Sequence, residues 1–177
     1  MDDLIERLKQ KDEAALKEIM GMYKKPIYRY LNTLTGSREL AEELAQDTFV
    51  RVFFKAPGLK ATDMKSCRAW IYSIACNLAR SEFRRRKFKR FFSLSEIGER
   101  QAAFTPSYDG DLIWAQLLNS LPEKFRIPLV MKEIDNFSFE EIAGILKKPV
   151  GTVKSLVFRG KGHLKKQYHL GEGEEHA

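Results

Sequence analysis

The stretch "SFEEIAGILKKPVGTVKSLVFRG", residues 138–160, contains two short helical patterns separated by a turn that carries Pro149 and Gly151. In the first pattern, apolar residues recur at three- and four-residue steps, as they do on the buried face of a helix. Ser138, followed three residues later by Glu141, has the form of a capping box, in which these side chains satisfy backbone N–H groups at the start of a helix. The sequence therefore predicts that the first helix begins at this serine.

The second pattern of this stretch is amphipathic and cationic. Thr152 is placed to cap the second helix at its N-terminus. The apolar face comprises Val153, Val157, Gly160 and Leu164, and the opposite side carries Lys154, Ser155, Phe158, Arg159 and Lys161. Two short helices joined by a turn form a helix-turn-helix, whose second helix fits the major groove of DNA. The alternative is an αα-hairpin with a solvated basic face, and the spacing alone does not decide between the two.

The charge of the chain is positive and unevenly distributed. Its 177 residues include 31 lysines and arginines against 24 aspartates and glutamates, a net charge of +7. This balance favours a polyanionic partner such as nucleic acid. Seven basic residues fall in "RSEFRRRKFKR", residues 80–90, whereas the final "GEGEEHA" is acidic. The position of the charge is therefore more informative than its total.

Cys67 and Cys76 lie nine positions apart in a segment with a helical pattern. Along a helix this separation is about 13 Å, too long for a disulfide, so we expect reduced thiols. No apolar run approaches the roughly 20 residues needed to span a bilayer. The N-terminus also has acidic residues where a secretory signal has basic ones. We expect a soluble intracellular protein that does not insert into a membrane.

Helical periodicity runs through most of the chain and no segment has the pattern of a strand, so the predicted fold class is all-α. Pro26 is expected to kink or split the first of these helices. The predicted helices cover residues 13–34, 38–55, 66–90, 112–118, 122–134 and the two halves of the opening stretch.

The domain organisation follows from residues 91–110, which show no sustained period and have the composition of a connector. We predict two small helical domains, residues 1–90 and 111–170, joined by a flexible linker at 91–110. A flexible acidic tail, residues 171–177, follows the second domain.

Four blocks of the sequence resemble, in order, segments of one protein family. "EEIAGILKKPVGTVKSLVFRGK" resembles the C-terminal helix-turn-helix of the extracytoplasmic-function (ECF) sigma factors, small promoter-specificity subunits of the bacterial sigma-70 family. "LPEKFRIPLVMKEIDNFSFEEIA" resembles the segment that leads into this motif. "ELAEELAQDTFVRVF" is similar to the family's helix for binding core polymerase, and "CRAWIYSIACNLARSEFRRRK" to its promoter-melting helix. The resemblance implies a region 2 helical bundle followed by a region 4 helix-turn-helix domain.

The resemblance implies that the third long helix binds the −10 element of a promoter. Asn77 matches a position that helps form a pocket for an extruded base, and the loop "LKATDMKS" would shape its specificity. Trp70 is expected to be buried behind this surface. The candidates for phosphate contacts are Arg80, Arg84, Arg85, Arg86 and Lys87, because cations that neutralise phosphates release counterions. The alternative for this run is a solvated basic helix end.

For the −35 element, the resemblance places Thr152, Lys154, Ser155, Phe158, Arg159 and Lys161 at the major groove. Leu156 departs from the family, many of whose members have a basic residue here, and an apolar side chain cannot donate bidentate bonds to guanine. Gly160 and Gly162 each cost about 1 kcal/mol of helix propensity relative to alanine. We therefore expect the end of the recognition helix to be loose.

The resemblance also implies protein partners and no cofactor or metal. The side chains that would grip the clamp helices of the largest polymerase subunit are Glu42, Glu43, Gln46, Asp47 and Arg51. The second helical domain would contact the flap of the second-largest subunit, and the linker would thread near the active-site cleft. The family further implies a cytoplasmic location, with an anti-sigma factor, often membrane-linked, as a partner.

Three other functions are compatible with parts of the sequence. A stand-alone helix-turn-helix regulator would bind duplex DNA as a symmetric dimer. A metal-dependent nuclease could use Glu43 and Asp47, which share one helix face at i and i+4. A helical adaptor would bind only protein. The three histidines have no cysteine partners at the spacing of a metal site; they are His163, His169 and His176.

Overall fold

The computed structural model describes residues 2–92 and 117–172, and within these ranges the chain is helical with no strand, which confirms the all-α prediction. The predicted linker and tail lie outside these ranges, apart from two residues of each. Residues 117–120 are helical, and a short 3-10 turn, Ala56–Gly58, follows the third helix. The bounded helices are α1 (Asp2–Lys9), α2 (Glu13–Thr35), α3 (Arg38–Lys55), α4 (Met64–Phe92), α5 (Glu123–Glu133), α6 (Phe139–Leu146) and α7 (Val150–Glu172).

The reversal between α2 and α3 is fixed by two adjacent residues. Gly36 ends α2 in the left-handed region, with φ of 64°, and its N–H donates to the carbonyl oxygen of Asn32 at 2.9 Å. Ser37 then caps α3, because its hydroxyl accepts from the N–H of Leu40 at 3.3 Å. Glycine adopts the left-handed conformation without the steric cost that a Cβ brings. The two helices can therefore turn back on each other within two residues.

Pro26 lies inside α2 and does not split it, since the helix continues from Glu13 to Thr35. A proline in a helix interior removes one hydrogen bond and costs about 3 kcal/mol. Ile19, before the proline, and Ile27, after it, are both fully buried. Each such side chain contributes about 1.5–3 kcal/mol. Burial on both sides of the proline therefore outweighs the local cost and holds one helix.

The long helix α4 begins at Met64, slightly before the predicted start at Ser66. The carboxylate of Asp63 accepts from the N–H of Ser66 at 2.7 Å, and the N–H of Cys67 donates to the carbonyl oxygen of Asp63 at 3.0 Å. Asp63 is therefore the N-cap, and the serine sits at the third helical position. The helix then runs without a break through the cationic segment to Phe92.

The predicted capping box is confirmed at the start of α6. The N–H of Glu141 donates to the hydroxyl of Ser138 at 3.1 Å, and the N–H of Ser138 donates to the Glu141 carboxylate at 2.7 Å. The predicted cap of α7 is wrong, because that helix begins at Val150 and Thr152 lies exposed within its first turn. The first backbone bond of this turn runs from Val153 to the carbonyl oxygen of Pro149.

Helix α7 packs on α5 where the sequence has a glycine. Gly160 is buried, and a Cβ built on it would lie 3.5 Å from side-chain atoms of Phe125 and Leu129. The predicted apolar face is confirmed at Val153 and Val157, which are buried. The backbone of α7 is helical to residue 172, and the expectation that its end is loose stays a prediction.

Both cysteines are free and buried in the packed face of α4. Burial raises the pKa of each thiol, Cys67 and Cys76, to about 11. The prediction of unbridged thiols is therefore confirmed.

The helices before and after the predicted linker pack against each other. One buried cluster includes Tyr30 of α2, Tyr72 of α4 and Phe137 of the loop between α5 and α6. The rings of Tyr72 and Phe137 meet edge to face with their centroids 4.7 Å apart. The two helical units are therefore in direct contact in this structure.

Candidate nucleic-acid interface

The outer face of α7 presents the side chains predicted to meet a major groove. Phe158 is 79% exposed, and it projects from a helix whose opposite face is packed on α5. Leu156, the departure from the family pattern, is half-buried. The remaining predicted groove residues are all exposed: Thr152, Lys154, Ser155, Arg159 and Lys161.

Two of these lysines have neighbours in the same unit. The ammonium of Lys161 lies 2.9 Å from the carboxylate of Glu133 on α5. The ammonium of Lys154 lies 5.7 Å from the ring centroid of Phe139 on α6. Lys161 must exchange the carboxylate of Glu133 for a phosphate if it contacts DNA. Lys154 is oriented by the ring of Phe139, near the turn between α6 and α7.

On α4, Asn77 is exposed between two buried neighbours, Cys76 and Leu78. The helix backbone is thus held by its packed face while the amide of Asn77 points to solvent. Trp70 packs against the core but is only half-buried, so it is more exposed than the sequence analysis expected. An exposed amide on a rigid helix offers both a donor and an acceptor to a base edge.

The cationic end of α4 contains an organising carboxylate that the sequence analysis did not single out. Glu82 is only 9% exposed and accepts from Arg85 at 2.7 and 2.9 Å and from Arg86 at 3.0 Å. Hydrogen bonds from Arg85, and then from Arg86, hold the pKa of the Glu82 carboxyl below its ordinary value. The pair spacings, i to i+3 and i to i+4, were the signal for these contacts.

The other predicted phosphate contacts differ in exposure. Arg84 and Lys87 are exposed, and Arg80 is half-buried. At this end of α4, Glu82 therefore orients two guanidiniums, and the other cationic side chains project from the same few helical turns. This arrangement can track a phosphate backbone.

The predicted partner face of α3 is exposed as a whole and has a second, apolar part. Val50 is 53% exposed and Phe54 is 66% exposed, and both continue this face toward the end of the helix. The ammonium of Lys11 lies 5.7 Å from the Phe54 ring centroid. The sequence analysis assigned only the polar residues, all of which are exposed: Glu42, Glu43, Gln46, Asp47 and Arg51.

Within the described ranges, no three histidine, cysteine, aspartate or glutamate side chains are grouped so that they could hold a metal ion. Glu43 and Asp47 are instead both exposed on α3. Among the helices that the structure describes, none is long and apolar enough to cross a bilayer.

Comparison with known proteins matches the two helical units separately. The family model "Sigma-70 region 2" matches residues 19–89, and "Sigma-70, region 4" matches residues 111–164. The ECF RNA polymerase sigma factor SigW of Bacillus subtilis is 29% identical over 92% of this chain and 94% of its own length.

Two solved structures share the fold. CnrH, in complex with the cytosolic domain of CnrY, superposes with a TM-score of 0.73 at 17% identity, over 96% of this chain and 97% of the other. The sigma factor RpoE from Bartonella quintana, in complex with the anti-sigma factor NepR, superposes with a TM-score of 0.66 at 24% identity, over 85% of this chain and 94% of the other.

The two matched regions and the helix-turn-helix define a sigma-70 family protein, and this chain belongs to that family. Within the family it is an RNA polymerase sigma factor of the ECF subfamily, whose role is promoter recognition in transcription initiation. The region 2 match distinguishes it from a stand-alone helix-turn-helix regulator.

Proposed function

We propose that the chain positions core RNA polymerase on a promoter through three exposed faces: that of α3 for polymerase, that of α4 for the −10 element and that of α7 for the −35 element. The observation that carries this assignment is the exposure of all three faces on helices whose opposite sides are packed. Phosphodiester synthesis belongs to the core enzyme, so the chain itself performs no chemistry and works by orientation.

At the −10 element, Asn77 hydrogen-bonds the edge of a base taken out of the stack. The cations near the end of α4 hold the phosphates of the opened strand, which lowers the cost of unpairing. Arg85 and Arg86 are paired with Glu82 in the free chain, so they exchange this carboxylate for phosphates on contact with DNA. Trp70 supports the helix from behind.

At the −35 element, α7 lies in the major groove with Lys154, Ser155 and Arg159 toward base edges and phosphates. Phe158, with most of its ring exposed, supplies an apolar contact of the kind that a thymine methyl group accepts. Leu156 replaces a potential donor with an apolar group at the edge of this surface. The sequence preference of the protein at −35 should therefore differ from that of relatives with a basic residue at this position.

On α3, the acidic and polar first half and the apolar second half form one surface for the clamp helices of the largest polymerase subunit. An interface of this kind combines an apolar centre with charges that fix orientation. Val50 and Phe54 are well suited to be the apolar centre, and Glu43 and Asp47 to provide the charges.

The second helical unit contacts the flap of the second-largest subunit, and the segment 91–110 runs between the two polymerase contacts. An anti-sigma factor covers these faces and keeps the chain inactive; in support, the structural neighbour RpoE forms a complex with the anti-sigma factor NepR. The chain acts in the cytoplasm and is held at the membrane only when such a partner is membrane-linked.

In vitro transcription of genomic DNA by bacterial core polymerase, with and without this chain, tests the proposal. We expect new transcript starts that share two spaced upstream motifs. Asn77→Ala should weaken open-complex formation more than polymerase binding, and Glu43→Ala should do the opposite. The proposal would be contradicted if no new transcript starts appear and the chain alone binds a palindromic duplex.

A further inference from the structure

The start of α6 fixes the place of one aromatic ring. Phe139 is the first residue of this helix, and the capping box of Ser138 and Glu141 holds the backbone on both sides of it. The ring is half-buried and packs against the buried cluster. Its remaining surface is therefore presented from a position that the cap and the packing determine together.

Two ammonium groups from different helices lie at this ring. The Nζ of Lys132, near the end of α5, is 4.8 Å from the ring centroid, and the Nζ of Lys154, in the first part of α7, is 5.7 Å from it. Within about 6 Å of its centroid, an aromatic ring attracts a cation. Lys132 also donates to the backbone carbonyl oxygen of Phe137 at 3.3 Å. The ring of Phe139 thus brings cations of α5 and α7 to one place.

The charge around this ring is positive. Hydrogen bonds from its own N–H and from Ser138, followed by the charges of Lys154 and Lys132, hold the pKa of the Glu140 carboxyl below its ordinary value. Among the described residues, however, neither of these two ammoniums forms an ion pair. Glu133, the last residue of α5, is paired elsewhere. Two ammoniums therefore face one carboxylate, and the excess of positive charge favours an anion.

The two ammoniums lie beside the first helix of the helix-turn-helix, which is α6. In this motif the second helix presents its N-terminal residues to base edges, while the first helix crosses the DNA backbone. A cation held at the start of α6 is therefore placed beside the backbone of the duplex. An ammonium, as a compact charge with three N–H donors, suits a phosphate.

An ammonium at a ring can bind a phosphate and keep its contact with the ring, because the ring is not a competing anion. Lys161, on the outer face of α7, differs in this respect, since its ammonium must first leave Glu133. The lysines at Phe139 are therefore better prepared for a phosphate than a lysine in an ion pair.

We propose that Phe139 is a positioning residue for the −35 element: its ring holds Lys132 and Lys154 as a pair that contacts backbone phosphates at the edge of the major groove. Lys132 is a phosphate contact that the sequence analysis did not assign. The DNA partner in this inference rests on the proposed function, whereas the arrangement of both lysines around the ring is a property of the free chain.

Nuclear magnetic resonance of the free chain, with lysines labelled at the ε-carbon, measures the hold of the ring on the lysines. Methylene protons above an aromatic ring resonate upfield of those surrounded by water. We expect upfield shifts for Lys132 and Lys154 relative to the exposed Lys17. Phe139→Leu, which keeps an apolar side chain without a ring, should remove both shifts, and Phe139→Tyr should retain them. Replacing each lysine by alanine assigns its signal.

The contact with DNA is measured for the complex of this chain with core polymerase, on a duplex that carries the −35 motif obtained by transcript mapping. Lys132→Ala and Lys154→Ala should each reduce the slope of log affinity against log salt by about 0.9, the value for one phosphate of B-DNA. A cation–π contact raises the population of the held lysine by about two- to fivefold. Phe139→Leu should therefore weaken binding by up to about this factor for each lysine that it releases.

A double-mutant comparison separates positioning from a structural role. When both lysines are alanine, Phe139→Leu should have no further effect on affinity, because no cation remains for the ring to hold. Lys124→Ala is the matched control: its ammonium also lies at a ring, 4.8 Å from the centroid of Phe125, but near the start of α5. This variant should leave the salt slope unchanged.

Three results would overturn the inference: lysine signals that are not shifted in the free chain, a salt slope that Lys132→Ala leaves unchanged, or an equal effect of Phe139→Leu with and without the two lysines. If Phe139→Leu does not fold, the shifts in the unsubstituted chain and the slope for Lys132→Ala still decide. If the polymerase complex selects no −35 motif, the proposed function is contradicted and the DNA partner falls with it. The shifts in the free chain test the arrangement around the ring in either case.

Discussion

Lowering the pH should close the contact between α4 and the Asp135 loop. Asp135 is 5% exposed, and its burial raises the pKa of its carboxyl to about 6 from the ordinary 3.8. The hydrogen bond from Tyr72 and the charges of Arg68 and Arg29 act in the opposite direction but do not overcome burial. When the units separate, the carboxyl becomes accessible to water, and its pKa should return toward the ordinary value.

The sign of the effect follows from which state holds the proton. Because the closed state raises the pKa of an acid, it binds the proton more tightly, so protonation stabilises closure. The contribution is fully present below about pH 3.8 and is lost as the pH rises through about 6. The difference of about 2 pKa units corresponds to about 3 kcal/mol in total. Between pH 5 and pH 7.5 the ratio of open to closed chain should rise about tenfold.

Energy transfer between dyes on Lys17→Cys and Lys166→Cys measures this ratio in the full chain, because both positions are exposed and lie on different units. The native thiols of Cys67 and Cys76 are buried with raised pKa values, so they should resist labelling. Transfer should fall as the pH rises, and Asp135→Asn should flatten the profile while keeping an acceptor for Tyr72. A profile that is flat in the unsubstituted chain, or one that rises with pH, would refute this reasoning.

Four further substitutions test other parts of the structure. Gly160→Ala places a methyl group at ordinary contact distance, and Gly162→Ala places one in open space. Each should stabilise the chain by about 1 kcal/mol and raise the melting temperature by about 2–4 °C. A lower melting temperature for the Gly160 variant alone would mean that α5 and α7 pack more closely than described. Glu82→Gln should release two arginines to contact phosphates and steepen the salt dependence of single-strand binding by about 0.7–1.4 in slope, because each neutralised phosphate adds about 0.7. The exposed Glu13→Gln should leave the slope unchanged, and equal slopes for the Glu82 variant and the unsubstituted chain would argue that the ion pairs persist on DNA. Ser138→Ala removes one half of the capping box and should cost about 1 kcal/mol in urea unfolding, and an unchanged midpoint would show that the other half is sufficient.

The parts of the fold that sequence reasoning predicted are those in which the signal is local. The capping box at Ser138 and the apolar face at Val153 and Val157 depend on residues within two turns of one another. The start of α7 was placed three residues too late because threonine is a good cap in isolation, but the carbonyl oxygen of Pro149 already accepts the first backbone hydrogen bond. The sequence analysis also left out α1, whose buried residues, Ile5 and Leu8, give too short a pattern to stand out.

In the candidate site, too, the features that depend on local spacing could be predicted and those that depend on how distant segments meet could not. The exposure of Phe158 followed from helical phase, since the opposite face of α7 is apolar, whereas Asn77 was assigned from the family resemblance alone. The orientation of two arginines by Glu82 was readable from i to i+3 and i to i+4 spacing, but the run of cations masked it. The pairing of Tyr72 with Asp135 joins residues 63 positions apart, and such a contact depends on how the two units meet. The residue-level roles in polymerase and promoter binding stay predictions.

Gly36 constrains how this protein can change over evolutionary time. A side chain here would meet both a left-handed backbone and the amide of Asn119 in the other unit, so replacement loosens the helical reversal and pushes the units apart in one step. Natural variation should therefore retain glycine at this position, although it lies far from any DNA-binding side chain.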